Sequence, residues 1–150
     1  MSVPSLTEKL AAFTSTLKYD QLPSDVLSQT RNCLLDTVGA MLAGSRLSRS
    51  GQAGRHFAER LSEKGESVVA GSSLRRSPMT AALVNGMAAH ALELDDGSKH
   101  ATYHPGASIV TMSLALGEAE GISGRGLVEA IAAGYEVSLR IGTAINPGHY

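Results

Sequence analysis

The spacing of apolar residues along the chain predicts a succession of helices. From Leu6 to Leu17 apolar side chains recur every three or four residues, which places them on one helical face. Ser5 and Glu8 have the spacing of a capping box, so the first helix should begin there. A second apolar stripe runs from Val26 to Leu42, and we expect it to end near Gly44.

Proline and glycine divide the rest of the chain into further segments. Residues 50–64 have a more polar helical pattern that a glycine ends. Pro78 begins a segment that is apolar on nearly all sides as far as Leu94, which is typical of a buried helix. Helical patterns also cover 108–120 and 127–145, and Pro147 with Gly148 should close the last one.

The segment between the third and fourth predicted helices is less regular. Ser67 to Ala70 is a short apolar run that fits either a short strand or an extended linker. Arg75 and Arg76 are expected in a polar surface loop. The chain has no Trp and only 4% aromatic residues, so its core must consist of aliphatic residues and many alanines. We therefore predict an all-α fold of five or six packed helices with little or no sheet.

Charge and composition exclude several classes of function. The formal net charge is −1, and no basic stripe is interleaved with aromatic residues, so nucleic acid is not an expected partner. Polar residues interrupt every apolar stretch before it could span a membrane. The single cysteine, Cys33, lies in an apolar helical pattern and is expected to be a buried structural thiol. A cytoplasmic protein is the expectation.

The greatest density of reactive groups lies in residues Glu93 to His104, which we call the polar segment. It holds three carboxylates, one lysine and two histidines between two apolar helices. Carboxylates this close cannot all ionise freely in a partly buried site, and histidine exchanges protons near neutral pH. The polar segment therefore predicts a proton-transfer site at the mouth of a helical core, with Pro105 and Gly106 holding the backbone of His104 in place.

Two alternatives remain open from the residues alone. Asp95, Asp96 and Gly97 also suit a helix end followed by a turn, in which Lys99 and His100 would be solvated. A metal site would pair His100 with His104, four residues apart, and take an oxygen from either aspartate. Because Gly97 and Pro105 argue against a continuous helix here, we predict no metal ligands. His90 is expected to be a hydrogen-bonded core histidine, and the alternative is that it orients Glu93, one turn later.

Several short motifs, in this order, closely resemble the N-terminal part of the MmgE/PrpD family. They are Leu35-Asp-Thr-Val-Gly39, Ala81-Ala-Leu-Val-Asn-Gly86, His90-Ala-Leu-Glu-Leu-Asp-Asp96, His104-Pro-Gly106 and Ala133-Gly-Tyr-Glu-Val137. The family includes 2-methylcitrate dehydratase, cis-aconitate decarboxylase and iminodisuccinate epimerase. The resemblance implies a mostly helical domain with a smaller lid domain, homodimers, small polycarboxylate substrates and no obligatory metal or organic cofactor.

The resemblance also implies roles for individual residues. His104 matches the family's active-site histidine, and Asp95 and Asp96 match its paired aspartates. Glu93 stands where cis-aconitate decarboxylase has an aspartate, and Gly97 stands where that enzyme has a threonine. Both departures count against decarboxylation.

We therefore expect a polycarboxylate hydro-lyase of the 2-methylcitrate dehydratase type. The catalytic residues would be His104, Asp96 and Glu93, and the substrate-binding residues Asp95, Lys99 and His100. An epimerase or a decarboxylase of the same family is the enzymatic alternative. Residues 1–150 are expected to be a partial helical domain without the lid, so a non-catalytic, truncated helical interaction domain is the other alternative.

Overall fold

The chain folds into six α-helices and one two-stranded antiparallel sheet in the part described by a computed structural model, residues 3–146 and 148. This confirms the predicted all-α fold with little sheet. The elements are α1 (Leu6–Thr16), a 3₁₀-helix (Tyr19–Gln21), α2 (Ser24–Leu47), α3 (Arg49–Arg60), β1 (Ser67–Val68), β2 (Arg75–Arg76), α4 (Pro78–His90), α5 (Pro105–Glu120) and α6 (Gly124–Ile145).

Some helix ends follow local sequence signals and others do not. The capping box of α1 is confirmed: the hydroxyl of Ser5 accepts from the N–H of Glu8 at 3.3 Å, and the Glu8 carboxylate accepts from the N–H of Ser5 at 2.7 Å. Helix α2 continues past Gly44 to Leu47, so the prediction that it ends near Gly44 is wrong. A Cβ at Gly44 would lie 1.9 Å from the carbonyl oxygen of Ala88. This glycine therefore allows α2 and α4 to approach closely instead of ending a helix.

Arg75 and Arg76 form strand β2, which corrects the prediction of a polar loop. Val68 pairs with Arg75 in antiparallel register. The amide of Asn85, on α4, fixes the first strand because its Oδ1 accepts from Ala70 N and its Nδ2 donates to Val68 O, both at 2.8 Å. A buried amide on a helix thus stabilises a sheet too short to form from its own propensity.

Helix α4 lies at the centre of the fold and packs against α2, α3 and α5, while α5 also packs against α6. Its buried face consists largely of small residues, which allows these close contacts. One buried cluster contains Met41, Ala70, Ala88 and Ala89, and a second contains Ala58, Val69 and Val84. None of the helices among the described residues combines the length and apolar character that crossing a bilayer requires.

The connection between α4 and α5 contains the polar segment. Helix α4 ends at His90, four residues before the predicted limit at Leu94, and the backbone turns at Glu93 with φ of +52°. Ser98 and Tyr103 then exchange backbone hydrogen bonds of 2.9 and 3.3 Å, closing a small loop before α5 begins. At the other end of the fold, α6 reaches Ile145. Pro147, expected to close it, lies outside the described residues.

Candidate active site

Two imidazole rings lie against the carboxylate of Asp95. Nδ1 of His90 lies 3.1 Å from Oδ2 of Asp95, and Nδ1 of His104 lies 3.5 Å from the same oxygen. The Asp95 side chain has no exposed surface, whereas those of His90 and His104 are 47% and 41% exposed. A buried carboxylate therefore supports two half-exposed imidazoles.

The two rings also contact each other. Their centroids are 4.7 Å apart and their planes are inclined at 62°, an edge-to-face arrangement. Nδ1 of His104 is buried and lacks a hydrogen-bond partner among the described residues, so the exposure of this ring comes from its other atoms. A histidine with one nitrogen directed at a carboxylate and the rest of its ring accessible is well placed to take and return a proton.

Asp96 faces a different set of partners. Its Oδ1 accepts from the backbone N–H of Gly106 at 2.9 Å, and its Oδ2 accepts from the hydroxyl of Tyr135 at 2.8 Å. A carboxylate at the N-terminus of α5 also interacts favourably with the helix dipole. Asp96 therefore holds the start of α5 in place. His104 is the N-terminal cap residue of α5, so Asp96 also fixes the position of His104.

The start of α5 is tightly enclosed. A Cβ at Gly106 would lie 2.3 Å from Oγ1 of Thr37 on α2 and 2.5 Å from Oδ1 of Asp96. Burial and the neighbouring Asp96 raise the pKa of the Tyr135 phenol, so Tyr135 keeps its proton and remains a hydrogen-bond donor. Thr37 on α2 and Tyr135 on α6 thus both lie against the start of α5, next to His104.

A cleft of about 700 Å³ opens beside the two imidazoles. His90, Tyr103 and His104 line its polar side, and Ile141 and Ile145 on α6 contribute apolar surface. Clefts of this size, with a few converging polar groups, are typical of small-molecule sites.

The remaining predicted site residues are more exposed. Oε1 of Glu93 lies 3.5 Å from Nε2 of His90, and the Glu93 side chain is 72% exposed. Lys99 and His100 are exposed in the loop that the Ser98–Tyr103 bridge closes. In the described part of the chain, neither of their side chains forms a hydrogen bond or an ion pair with the imidazoles.

The geometry changes several roles inferred from the sequence. Asp95 is buried beneath the imidazoles, which favours a positioning role over the predicted substrate contact. Both oxygens of Asp96 are engaged, which favours positioning there too. His90 is hydrogen-bonded as expected, to Asp95, but its predicted place in the core is wrong, because its side chain is half-exposed at the end of α4. His90, and not His100, is the partner of His104.

Sequence reasoning missed the roles of His90 and Tyr135. Both residues lie within motifs that carry the family resemblance, five residues before Asp95 and at the centre of residues 133–137. Their place in those motifs is the one signal that marked them. No local pattern indicated that two imidazoles would meet on one carboxylate.

Comparison with known proteins identifies relatives of this chain. The family model for the MmgE/PrpD N-terminal domain matches residues 8–150. Cis-aconitate decarboxylase-like protein oryM of Aspergillus oryzae is 30% identical over 148 residues, covering 94% of this chain and 30% of that protein. Cis-aconitate decarboxylase of Homo sapiens is 30% identical over 145 residues, with the same coverage. Cis-aconitate decarboxylase of Aspergillus terreus is 30% identical over 148 residues, which cover 93% of this chain and 29% of that protein. The chain thus spans about 30% of the length of these relatives.

Proposed function

The chain belongs to the MmgE/PrpD family, and we propose that its site serves a lyase for small polycarboxylates in which His104 transfers the proton. The observation that supports this proposal is the pair of accessible imidazoles on the buried carboxylate of Asp95, at the edge of a cleft of about 700 Å³. Family-level dehydratase or decarboxylase chemistry fits this arrangement because both reactions need a group that moves protons beside a substrate carboxylate.

In the proposed dehydration, His104 removes the proton from the carbon next to a substrate carboxylate. The electrons of that C–H bond form the new C=C bond while the C–O bond on the neighbouring carbon breaks, and the hydroxyl leaves as water after gaining a proton. The negative charge of Asp95, 3.5 Å from Nδ1 of His104, stabilises the imidazolium formed in the first step.

His90 is the group that we propose returns a proton to the leaving hydroxyl. It shares the Asp95 carboxylate with His104, its ring contacts the ring of His104, and both residues line the cleft. The carboxylate of Glu93 lies 3.5 Å from Nε2 of His90, on the other side of the ring from Asp95. Lys99 and His100, in the neighbouring loop, stay proposed contacts for the substrate's carboxylates.

Dehydration of a 2-methylcitrate-type substrate is the reaction we propose, and decarboxylation is the second candidate because the relatives named above are cis-aconitate decarboxylases. Two residues of the site favour the first. Glu93 carries one methylene more than the aspartate of the decarboxylases, enough to displace a positioned carboxylate. Gly97 stands where the decarboxylases have a threonine, and it leaves one side of the His104 ring uncovered. A Cβ at Gly97 would lie 3.6 Å from Cε1 of His104, which is an ordinary contact distance.

The central test is His104→Asn in the full-length protein, assayed with 2-methylcitrate and with cis-aconitate. Loss of a general acid or base should lower kcat by about 10²–10⁴-fold. His56→Asn is the matched control, because His56 is exposed on α3 and pairs with Glu59 at 2.9 Å. Turnover by His104→Asn within a few-fold of the unaltered protein would rule out the proposed role.

The products separate the reactions. Water loss from 2-methylcitrate without release of carbon dioxide supports the hydro-lyase, and carbon dioxide from cis-aconitate supports the decarboxylase. Solvent deuterium entering the α-carbon of an amino-dicarboxylate without elimination would favour the epimerase. Absence of turnover with every substrate would favour the non-catalytic interaction domain. The double variant Glu93→Asp with Gly97→Thr should shift activity toward decarboxylation.

We also propose that the protein works as a cytoplasmic homodimer, as the family resemblance implies. Leu35, Leu47 and Met79 are between 73% and 84% exposed, which is consistent with surfaces that another polypeptide segment covers. Sedimentation velocity of the full-length protein would test this assembly, and a monomer across the micromolar range would contradict it.

A further inference from the structure

We propose that His90, Asp95 and His104 also form a binding site for a divalent transition-metal ion, best suited to Zn²⁺. One ligand atom from each residue lies within 4.8 Å of the others. The proposal concerns metal binding and does not depend on the reaction proposed above, because binding can be measured without substrate or turnover.

The distances fit tetrahedral coordination. Zinc ligands at about 2.0–2.1 Å in a tetrahedron lie about 3.4 Å from one another. The two nitrogen–oxygen distances to Asp95 are 3.1 and 3.5 Å. The ligating nitrogens of the two imidazoles are at most 4.8 Å apart. To reach the tetrahedral separation they need to approach each other by no more than about 1.4 Å. Rotation of the two half-exposed rings can supply this movement.

A second observation also points to a cation at this position. Nδ1 of His104 is buried and has no hydrogen-bond partner among residues 3–146 and 148, which is costly for a polar atom. Within the described residues, the ion-pair partners of the fully buried Asp95 carboxylate are imidazoles and include no lysine or arginine. A metal ion between these groups would satisfy the nitrogen and neutralise the carboxylate together.

The donor set selects the kind of metal. Two imidazole nitrogens and one carboxylate oxygen suit Zn²⁺ and similar borderline ions, whereas Mg²⁺ and Ca²⁺ prefer oxygen ligands alone. Both histidines line the cleft, which gives an ion a route from solvent to the cluster. A bound ion would occupy the imidazoles that we assign to proton transfer, and Zn²⁺ should therefore inhibit turnover. This agrees with a family resemblance that implies no obligatory metal.

The test uses Co²⁺ as a spectroscopic probe on purified protein treated with a chelator and then dialysed. We expect one Co²⁺ per chain with the intense visible absorption of four-coordinate cobalt, and displacement of the Co²⁺ by Zn²⁺. His90→Asn should weaken binding by at least about 10-fold, since removal of even an outer-shell partner of a metal ligand costs 10–100-fold. His56→Asn, the same substitution at an exposed histidine outside the cluster, should bind Co²⁺ like the unaltered protein.

Circular dichroism establishes that each variant is folded, and His104→Asn gives a second, independent removal of a ligand. Weaker cobalt binding in both folded variants, with His56→Asn unaffected, would support the site. Absence of a saturable four-coordinate cobalt spectrum in the unaltered protein would overturn the proposal. So would equal affinity in the unaltered protein, His90→Asn and His104→Asn.

Discussion

The hydroxyl of Tyr135, on α6, donates a 2.8 Å hydrogen bond to Oδ2 of Asp96, in the connection between α4 and α5. The other oxygen of Asp96 accepts from the N–H of Gly106, two residues after His104. Because burial and the adjacent carboxylate raise the pKa of the phenol, Tyr135 keeps its proton well above neutral pH. One carboxylate therefore connects α6 to the backbone that carries His104, the proposed base.

Tyr135→Phe should destabilise the protein and lower its activity through His104. A hydrogen bond to a charged group contributes about 1.5–3 kcal/mol to stability, and its loss leaves one oxygen of Asp96 unsatisfied. We expect kcat to fall more than KM changes, because Tyr135 positions His104 and is not proposed to contact substrate. Urea unfolding and steady-state kinetics measure both effects.

Tyr19→Phe provides the matched control. The hydroxyl of Tyr19 pairs with Arg31 at an exposed site far along the chain from Asp96. Such a surface substitution should change stability by no more than about 0.5 kcal/mol and leave kcat unaltered. Equal effects of the two substitutions would show that the Tyr135–Asp96 hydrogen bond has no special role.

Gly106→Ala should destabilise the fold, because the new methyl group would lie 2.3 Å from Thr37 Oγ1 and 2.5 Å from Asp96 Oδ1. Overpacking of this kind typically costs about 1–3 kcal/mol. Gly39→Ala, on α2, is the matched control: apart from its own helix, no described part of the chain comes within 4 Å of its added Cβ. In that exposed helical position alanine should stabilise by about 0.5–1 kcal/mol. Chemical unfolding should thus show shifts of opposite sign, and two shifts of the same sign would contradict this view of the α5 start.

The sequence predicted the helices well, because apolar spacing and capping residues act over a few neighbouring positions. Ser5 with Glu8, and Pro78 at the first position of α4, identified two helix starts correctly. Errors occurred where a distant contact decides the local structure. Gly44 allows Ala88 to approach and does not end α2, and the amide of Asn85 fixes the strand that pairs with β2.

The candidate site was predictable in composition but not in arrangement. The polar segment does contain the buried Asp95 and the cleft-lining His104. The partner imidazole, however, comes from His90, at the last turn of α4, and reaches Asp95 because the chain reverses at Glu93. A reversal that depends on a positive φ at a glutamate has no signal in residue type, since this conformation is uncommon outside glycine, asparagine and aspartate.

The positive φ at Glu93 leads to a prediction that separates stability from activity. The left-handed conformation costs a non-glycine residue about 1–2 kcal/mol, so Glu93→Gly should raise stability by up to about 1 kcal/mol after the entropic cost of glycine. Glu93→Gln is the matched control, because it keeps the strain and removes only the charge. Both variants should lose activity if the carboxylate assists His90. A stability gain in Glu93→Gln equal to that in Glu93→Gly would exclude backbone strain as the cause.

The carboxylate of Glu63 should stabilise the start of α4 in a pH-dependent way. It accepts from the N–H and the hydroxyl of Ser77, the N-terminal cap of α4, at 3.2–3.3 Å. Hydrogen bonding, mainly from Thr80 and also from Ser77, lowers the pKa of Glu63 below 4.5, although partial desolvation opposes this shift.

A carboxylate whose pKa is lower in the folded state than in the unfolded state stabilises the fold at pH values above its unfolded pKa. This stability disappears as the pH falls through the folded pKa. Glu63→Gln should therefore be less stable than the unaltered protein near pH 7, and the difference should shrink as the pH falls below the ordinary glutamate pKa of 4.5. Urea unfolding across this range, with Glu66→Gln as an exposed carboxylate control, measures the effect. A difference between Glu63→Gln and the unaltered protein that stays constant with pH would show that the Glu63 charge does not stabilise α4.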